Sequence, residues 1–139
     1  RVERYVLQAA PPLALTLQAE AMPVKTTGGP TSGGWIIWSN GYVAAPVSFP
    51  ATGEYEFAVV ARGTFAGGAW PRMEVRIDQR VLGAVTVATS NWQTFTVRGV
   101  VAAGSHEVAL AFTNDYYSPP ADRNLDVDQV TISGPTFRP

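Results

Sequence analysis

The stretch Glu54-Tyr55-Glu56-Phe57-Ala58-Val59 keeps its large apolar side chains on every second position and sets carboxylates between the first of them. Period-two alternation is the mark of a β-strand with one dry face and one wet face. Arg72-Met73-Glu74-Val75-Arg76-Ile77-Asp78 repeats the pattern almost without fault. Working outward, Trp92 to Val101 and Glu107 to Phe112 are rich in β-branched and aromatic residues, and Leu125 to Ile132 closes the series. Upstream, Leu13 to Ala19, Trp35 to Trp38 and Tyr42 to Phe49 read as strands. Turn residues punctuate these runs at Asn40-Gly41, Pro50 to Gly53, Gly67-Gly68, Gly83 and Ala103-Gly104. No window carries a sustained 3.6-residue apolar stripe. Seven to nine short strands at this spacing predict an all-β antiparallel β-sandwich, with a closed barrel as the second choice.

Composition bounds the function. The chain has 139 residues, enough for one domain with a real core. Ten basic against 11 acidic residues leave a net charge of −1, which gives no electrostatic reason to bind nucleic acid or an anionic membrane. No apolar run approaches the roughly 20 residues of a membrane-spanning helix. Without cysteine there is no disulfide framework, thiolate metal site or cysteine nucleophile. The single histidine, His106, lies in an alternating run, Ser105-His106-Glu107-Val108, and reads as a strand residue. The chain starts at Arg1 without an initiator Met or a signal-peptide pattern, so an excised domain or a mature fragment is expected.

Three units follow: an N-terminal arm or linker over 1–12, the sandwich over 13–134 and a C-terminal tail over 135–139. Lys25 to Gly34 reads as a flexible Gly/Thr/Ser/Pro loop. Asn114 to Arg123 carries Pro119-Pro120, which cannot extend a central strand.

Chemistry concentrates in that second loop. Asp115, Asp122, Asp126 and Asp128 are four of the five aspartates, and Arg123 is the one basic residue among them. Hard oxygen donors on a loop and the following strand suit Ca²⁺, and Asn114 and Asn124 add amide oxygens. The spacing is not that of an EF-hand. Composition leaves two readings open, an ion site and a solvated acidic loop. Tyr116 and Tyr117 share the loop, and Trp38 and Trp70 flank other turns. Aromatic faces beside fixed polar groups are what a sugar-binding surface needs, because they pack on the C–H face of a pyranose. Trp35 and Trp92 are expected in the core; composition does not decide Trp38 and Trp70. Glu20, at the end of the first strand, is either exposed or joined to a last-strand carboxylate in a structural metal site. Carboxylates are present but deep-cleft insertions are not, so a glycosidase is disfavoured and a non-catalytic role is expected.

Leu17 to Met22, Gly34 to Val43, Thr113-Asn114-Asp115 and above all Asp122-Arg123-Asn124-Leu125-Asp126-Val127-Asp128 resemble Ca²⁺-dependent, xylan-binding carbohydrate-binding modules of the family 36 and family 60 type. The similarity runs over about residues 15–133. It implies a jelly-roll-like β-sandwich whose loop-held Ca²⁺ meets sugar hydroxyls directly, binding a xylan-like β-glycan. Carried over, Asp115 is the loop ligand, Arg123 supplies a backbone carbonyl and Asn124 a side-chain oxygen, with Asp122 an alternative or additional ligand. Trp38 becomes a stacking residue, and Tyr116 and Tyr117 join the sugar-binding set. Glu20 and Asp128 match positions that serve a second, structural Ca²⁺. The resemblance further implies a secreted, monomeric module that targets a catalytic domain of the same parent protein to its polysaccharide. The contrasting expectation is an adhesion sandwich in which Ca²⁺ only stiffens loops.

Overall fold

A computed structural model describes residues 12–136. In chain order the strands are β1 (Leu13–Gln18), β2 (Val24–Lys25), β3 (Gly29–Thr31), β4 (Gly34–Ile37), β5 (Gly41–Phe49), β6 (Gly53–Gly63), β7 (Arg72–Ile77), β8 (Arg80–Thr86), β9 (Gln93–Val101), β10 (Gly104–Phe112), β11 (Tyr116–Ser118), β12 (Ala121–Arg123) and β13 (Leu125–Thr136). One 3₁₀ turn, Ala19–Ala21, follows β1. The first sheet runs β3-β4-β13-β6-β9, with β1 also paired to β13; the second runs β2-β5-β10-β7-β8. The pairings within these sheets are antiparallel. Two open sheets pack face to face, so the architecture is the expected sandwich and not the barrel.

The alternation in the founding stretch works as predicted. Tyr55, Phe57 and Val59 of β6 are fully buried while Glu54, Glu56 and Ala58 are not. They meet Phe49, Met73, Leu110 and Phe112 of the facing sheet. Phe49 and Tyr55 pack edge to face with centroids 4.9 Å apart. Strand β13 is the spine of the first sheet, and its buried side chains switch parity: Leu125 and Val127, then Val130 and Ile132. A register shift between Val127 and Gln129 causes the switch, leaving Asp128 as the extra residue of a bulge.

Strand direction sorts the connections into two ends. Gly41 lies opposite Phe112, and Leu125 opposite Gly63 and Ile37. The β4–β5, β6–β7, β10–β11 and β12–β13 connections therefore gather at one end. Leu13 pairs with Gly134 at the other, so the first and last strands lie side by side.

Several expectations need correction. Strand β8 is additional, and Gly83, expected at a reversal, sits in its middle, where a Cβ would come within 2.6 Å of Val97. The reversal is one turn earlier, at Asp78 and Gln79, both at positive φ (52° and 66°). The loop expected over Lys25 to Gly34 contains the end of β2 and all of β3, which pairs with β4. Strand β13 continues to Thr136, which pairs with Glu54, two residues into the stretch assigned to the tail. The assigned arm lies almost wholly outside the described residues. Trp35 is partly buried against the core, its indole N–H donating to the Thr27 carbonyl at 3.0 Å. Trp92 is half-buried with the Arg62 guanidinium 4.2 Å over its ring.

His106 ties two turns together. Its Nδ1 is 2.6 Å from Asp78 Oδ2 and its Nε2 is 2.9 Å from the Ala102 carbonyl. Two acceptors call for two N–H donors, the imidazolium form. The hydrogen bond to Asp78 is the main cause raising His106 above 6.5. Asp78 is held below 3.8, first by the Glu107 backbone N–H and then by His106, with Arg80 adding a smaller pull. A raised histidine stabilises fully below its unfolded value and loses that stabilisation as pH rises through the folded one; a lowered aspartate loses its stabilisation as pH falls. The contribution of the pair is therefore greatest between the two reference values. His106→Gln is expected to flatten melting temperature against pH on the neutral side of that window. A variant that keeps the wild-type slope there would refute this origin.

Candidate functional site

The loops at the Phe112 end build a pocket of about 490 Å³ lined by Ile36, Trp38, Asp115, Tyr117, Asp122 and Asn124. Five of these six are residues that the sequence marks as candidates.

Each is placed by local chemistry. Trp38 leaves β4 at its last turn, and its indole lies over Gly29, where a Cβ would be 2.9 Å from the ring. The glycine provides a flat seat, and Trp38 stays 52% exposed. It is a surface residue, not part of the core. Asp115 is set by its backbone: its N–H donates to Asn40 Oδ1 at 2.8 Å. Asn40, read only as a turn residue, thus fixes a candidate ligand. Asn114 braces the same loop, accepting from the Arg72 N–H at 2.7 Å and donating to the Trp70 carbonyl at 3.0 Å.

The Pro119-Pro120 segment turns out to join a hairpin, β11 with β12, in which Tyr117 lies opposite Asp122 and Tyr116 opposite Arg123. Successive side chains of a strand point to opposite faces. Tyr117, 68% exposed, and Asp122 line the pocket. Tyr116 does not; it rests on Gly67, on the other side of the hairpin. The sequence could not separate the two tyrosines because the prolines hid the pairing.

Arg123 carries a role the sequence missed. Its side chain is buried, the residue being only 7% exposed. The guanidinium donates to the carbonyls of Ala66, Ala69 and Asn114 and lies 5.3 Å from the Tyr116 ring. Among the described residues no carboxylate forms an ion pair with it: the cation is solvated by backbone oxygens. It pins the Asn114-Asp115 loop to the 66–69 turn. The Thr64 N–H donates to the Asn124 carbonyl at 3.0 Å and fixes the next residue.

The donors of the pocket fit a hard cation. Asp115 Oδ1 and Asn124 Oδ1 are buried side-chain oxygens with no hydrogen-bond partner among the described residues. Asn124 Nδ2 donates to Asp122 Oδ2 at 3.2 Å, which turns the amide oxygen away from Asp122. Buried acceptors without a donor cost about 1–3 kcal/mol each, and an ion removes that penalty for both. Among the described residues no three His, Asp or Glu side chains converge on one point. The set is two carboxylates and an amide, which leaves positions for neutral oxygens, as Ca²⁺ tolerates.

The remaining candidates lie elsewhere. Asp126 faces Arg62 on β6, with Nε 2.9 Å from Oδ2. Burial raises its carboxyl above the ordinary value, partly offset by Arg62. Glu20 and Asp128 sit apart from the pocket. Asp128 is raised first by burial and then by the charge of Glu20, so the two carboxylates are near neighbours.

Over residues 56–139 the chain matches the profile of carbohydrate-binding module family 60, described as a Ca-dependent, xylan-binding carbohydrate-binding module. The chain belongs to that family. No curated protein matches it significantly by sequence. Solved structures support the fold of this family 60 module. It resembles a family 36 module of a multidomain xylanase from the hindgut metagenome of Trinervitermes trinervoides, with TM-score 0.75 and 18% identity over 90% of this chain and 100% of that one. It resembles a family 36 module in complex with calcium and xylotriose, with TM-score 0.71 and 20% identity over 85% and 98%. It also matches part of a ruminal endo-β-1,4-mannanase, with TM-score 0.63 and 17% identity over 94% of this chain and 28% of that one.

Proposed function

We propose that this family 60 module binds a xylan-like β-glycan non-catalytically through a Ca²⁺ held in the pocket between Trp38 and Tyr117. The observation that carries the reading is the pair of unpartnered buried oxygens, Asp115 Oδ1 and Asn124 Oδ1, inside an aromatic-walled pocket. Asp115, Asn124, Asp122 and the Arg123 carbonyl would hold the ion. When bound, it offers open coordination positions that a vicinal diol can fill in place of water. Trp38 and Tyr117 orient the sugar by packing on its C–H face, and Ile36 keeps the floor dry. Attachment to a secreted polysaccharide-degrading enzyme belongs to the same reading. It is supported by the multidomain xylanase that carries the family 36 module.

Affinity electrophoresis in gels with xylan, β-glucan or galactan tests it. Retardation that disappears in EDTA is expected on xylan. Retardation that persists in EDTA would remove the ion from the mechanism, and none on any glycan would favour the adhesion sandwich.

Glu20 and Asp128 suit a second, structural ion, and here the sign of an effect is diagnostic. Without metal, the two like charges repel, so Glu20→Gln is expected to leave melting temperature unchanged or raise it. With Ca²⁺ present the same substitution is expected to lower it, while glycan affinity holds. A shift of the same sign in both conditions would dismiss the second ion.

A further inference from the structure

The β6–β7 connection carries aromatics that neither the core nor the ion pocket uses. Ala66 and Ala69 pair across it, and Ala66 is buried. Phe65 and Trp70 flank that pair and meet edge to face, with centroids 5.3 Å apart and planes at 61°. Phe65 is 53% exposed and Trp70 half-buried. The indole N–H of Trp70 donates to nothing among the described residues. Tyr116, 38% exposed, lies on the tip of the same turn, 2.8 Å from where a Gly67 Cβ would be. Clustered exposed aromatics mark binding surfaces more often than they mark chance.

The position of the turn points to its occupant. The hairpin of β11 and β12 is shared: Tyr117 walls the ion pocket on one face and Tyr116 reaches the turn from the other. Asn114 bonds to the Trp70 carbonyl and adjoins Asp115. Arg123 bonds to both the turn and the Asn114 carbonyl. The aromatic turn is thus held in fixed register with the ion pocket. A polysaccharide extends in both directions from the residue whose diol meets the ion, and a chain crossing the hairpin runs onto these rings. Aromatic faces take sugar C–H faces, and the open indole N–H suits a hydroxyl.

We propose that Phe65, Trp70 and Tyr116 form a second, ion-independent contact for the same β-glycan chain, engaging sugar residues beyond the one held at the Ca²⁺ pocket. The proposal rests on reading the pocket as a glycan site. Calorimetric titration of the Ca²⁺-loaded protein with xylobiose through xylohexaose tests it. Wild-type affinity is expected to climb with chain length. Phe65→Ala and Trp70→Phe are expected to leave xylobiose and Ca²⁺ affinities unchanged. On xylohexaose they are expected to lose roughly 3–10-fold, the factor that about one aromatic contact represents. Trp38 in the ion pocket should shift the tryptophan emission with either ligand, and the extra shift that the long ligand adds in the wild type should be missing in Trp70→Phe. Equal losses on short and long ligands, no loss on either, or a wild-type affinity that does not grow with length would overturn the second contact and leave the ion pocket standing. So would a wild-type dimer in sedimentation that Phe65→Ala dissolves. Failure of the wild-type protein to bind any of these ligands in Ca²⁺ would overturn both.

Discussion

Asp115→Ala is expected to abolish Ca²⁺-dependent retention on xylan while the domain still melts cooperatively. Asp115 is the pocket carboxylate with a buried, unpartnered oxygen, and its removal takes away half of the carboxylate charge lining the pocket. Loss of an outer-shell partner typically costs 10–100-fold in metal affinity; loss of a direct carboxylate ligand is expected to exceed about 100-fold. The stability signature is equally specific. At free Ca²⁺ of about 100 times its Kd, a single site adds about 2.7 kcal/mol to the wild-type protein, on the order of 10 °C for a domain of this size. The variant should show none of that gain. In EDTA it should melt at or slightly above the wild-type temperature, because a buried unpartnered acceptor has been deleted. Scanning calorimetry with and without Ca²⁺ reads both effects. An undiminished Ca²⁺-induced gain in the variant would place the ion elsewhere.

Arg123→Met is expected to have the largest effect on stability. The methionine roughly fills the aliphatic part of the space but leaves the Asn114 carbonyl without its donor, and the Ala66 and Ala69 carbonyls with only the N–H groups of each other. Hydrogen bonds from a charged group contribute about 1.5–3 kcal/mol, and the stranded acceptor adds to the loss. Roughly 3–4 kcal/mol is expected in urea unfolding. Arg123→Lys should recover only part of this, since an ammonium lacks the planar fork that spans several carbonyls. Ca²⁺ affinity should fall in the same order, with Met weaker than Lys and Lys weaker than wild type, because the Asn114-Asp115 loop loses its tether. Terbium luminescence reads the ion site directly. Variants that lose stability but bind the ion with wild-type affinity would confine Arg123 to packing.

What the sequence made readable follows from how local each signal is. Alternation in Glu54 to Val59 and Arg72 to Asp78 depends only on residues two apart, so the strands and the sandwich were plain. The parity switch in β13 was not, since the bulge at Asp128 exists only through its pairing with β6. Gly83 misled for the same reason: it resembles a breaker but answers to the close approach of Val97 from another strand. The aspartate cluster announced a site, yet its members part company in space. Asp115 and Asp122 enter the pocket, Asp126 goes to Arg62, and Asp128 sits near Glu20. The buried guanidinium of Arg123 left no trace in composition, because its partners are backbone carbonyls, which every residue has.

Leu13 and Gly134 face each other as paired residues. In connectivity the sandwich is therefore almost a ring, broken at a point far from the ion pocket. A short bridge between those ends would let the chain be cut at another exposed turn and circularly permuted with the same sheets intact. Cutting at the β7–β8 or β9–β10 turn would keep the new ends away from the sugar. The order in which the strands are written along the chain is thus a freer variable in this domain than the packing they share.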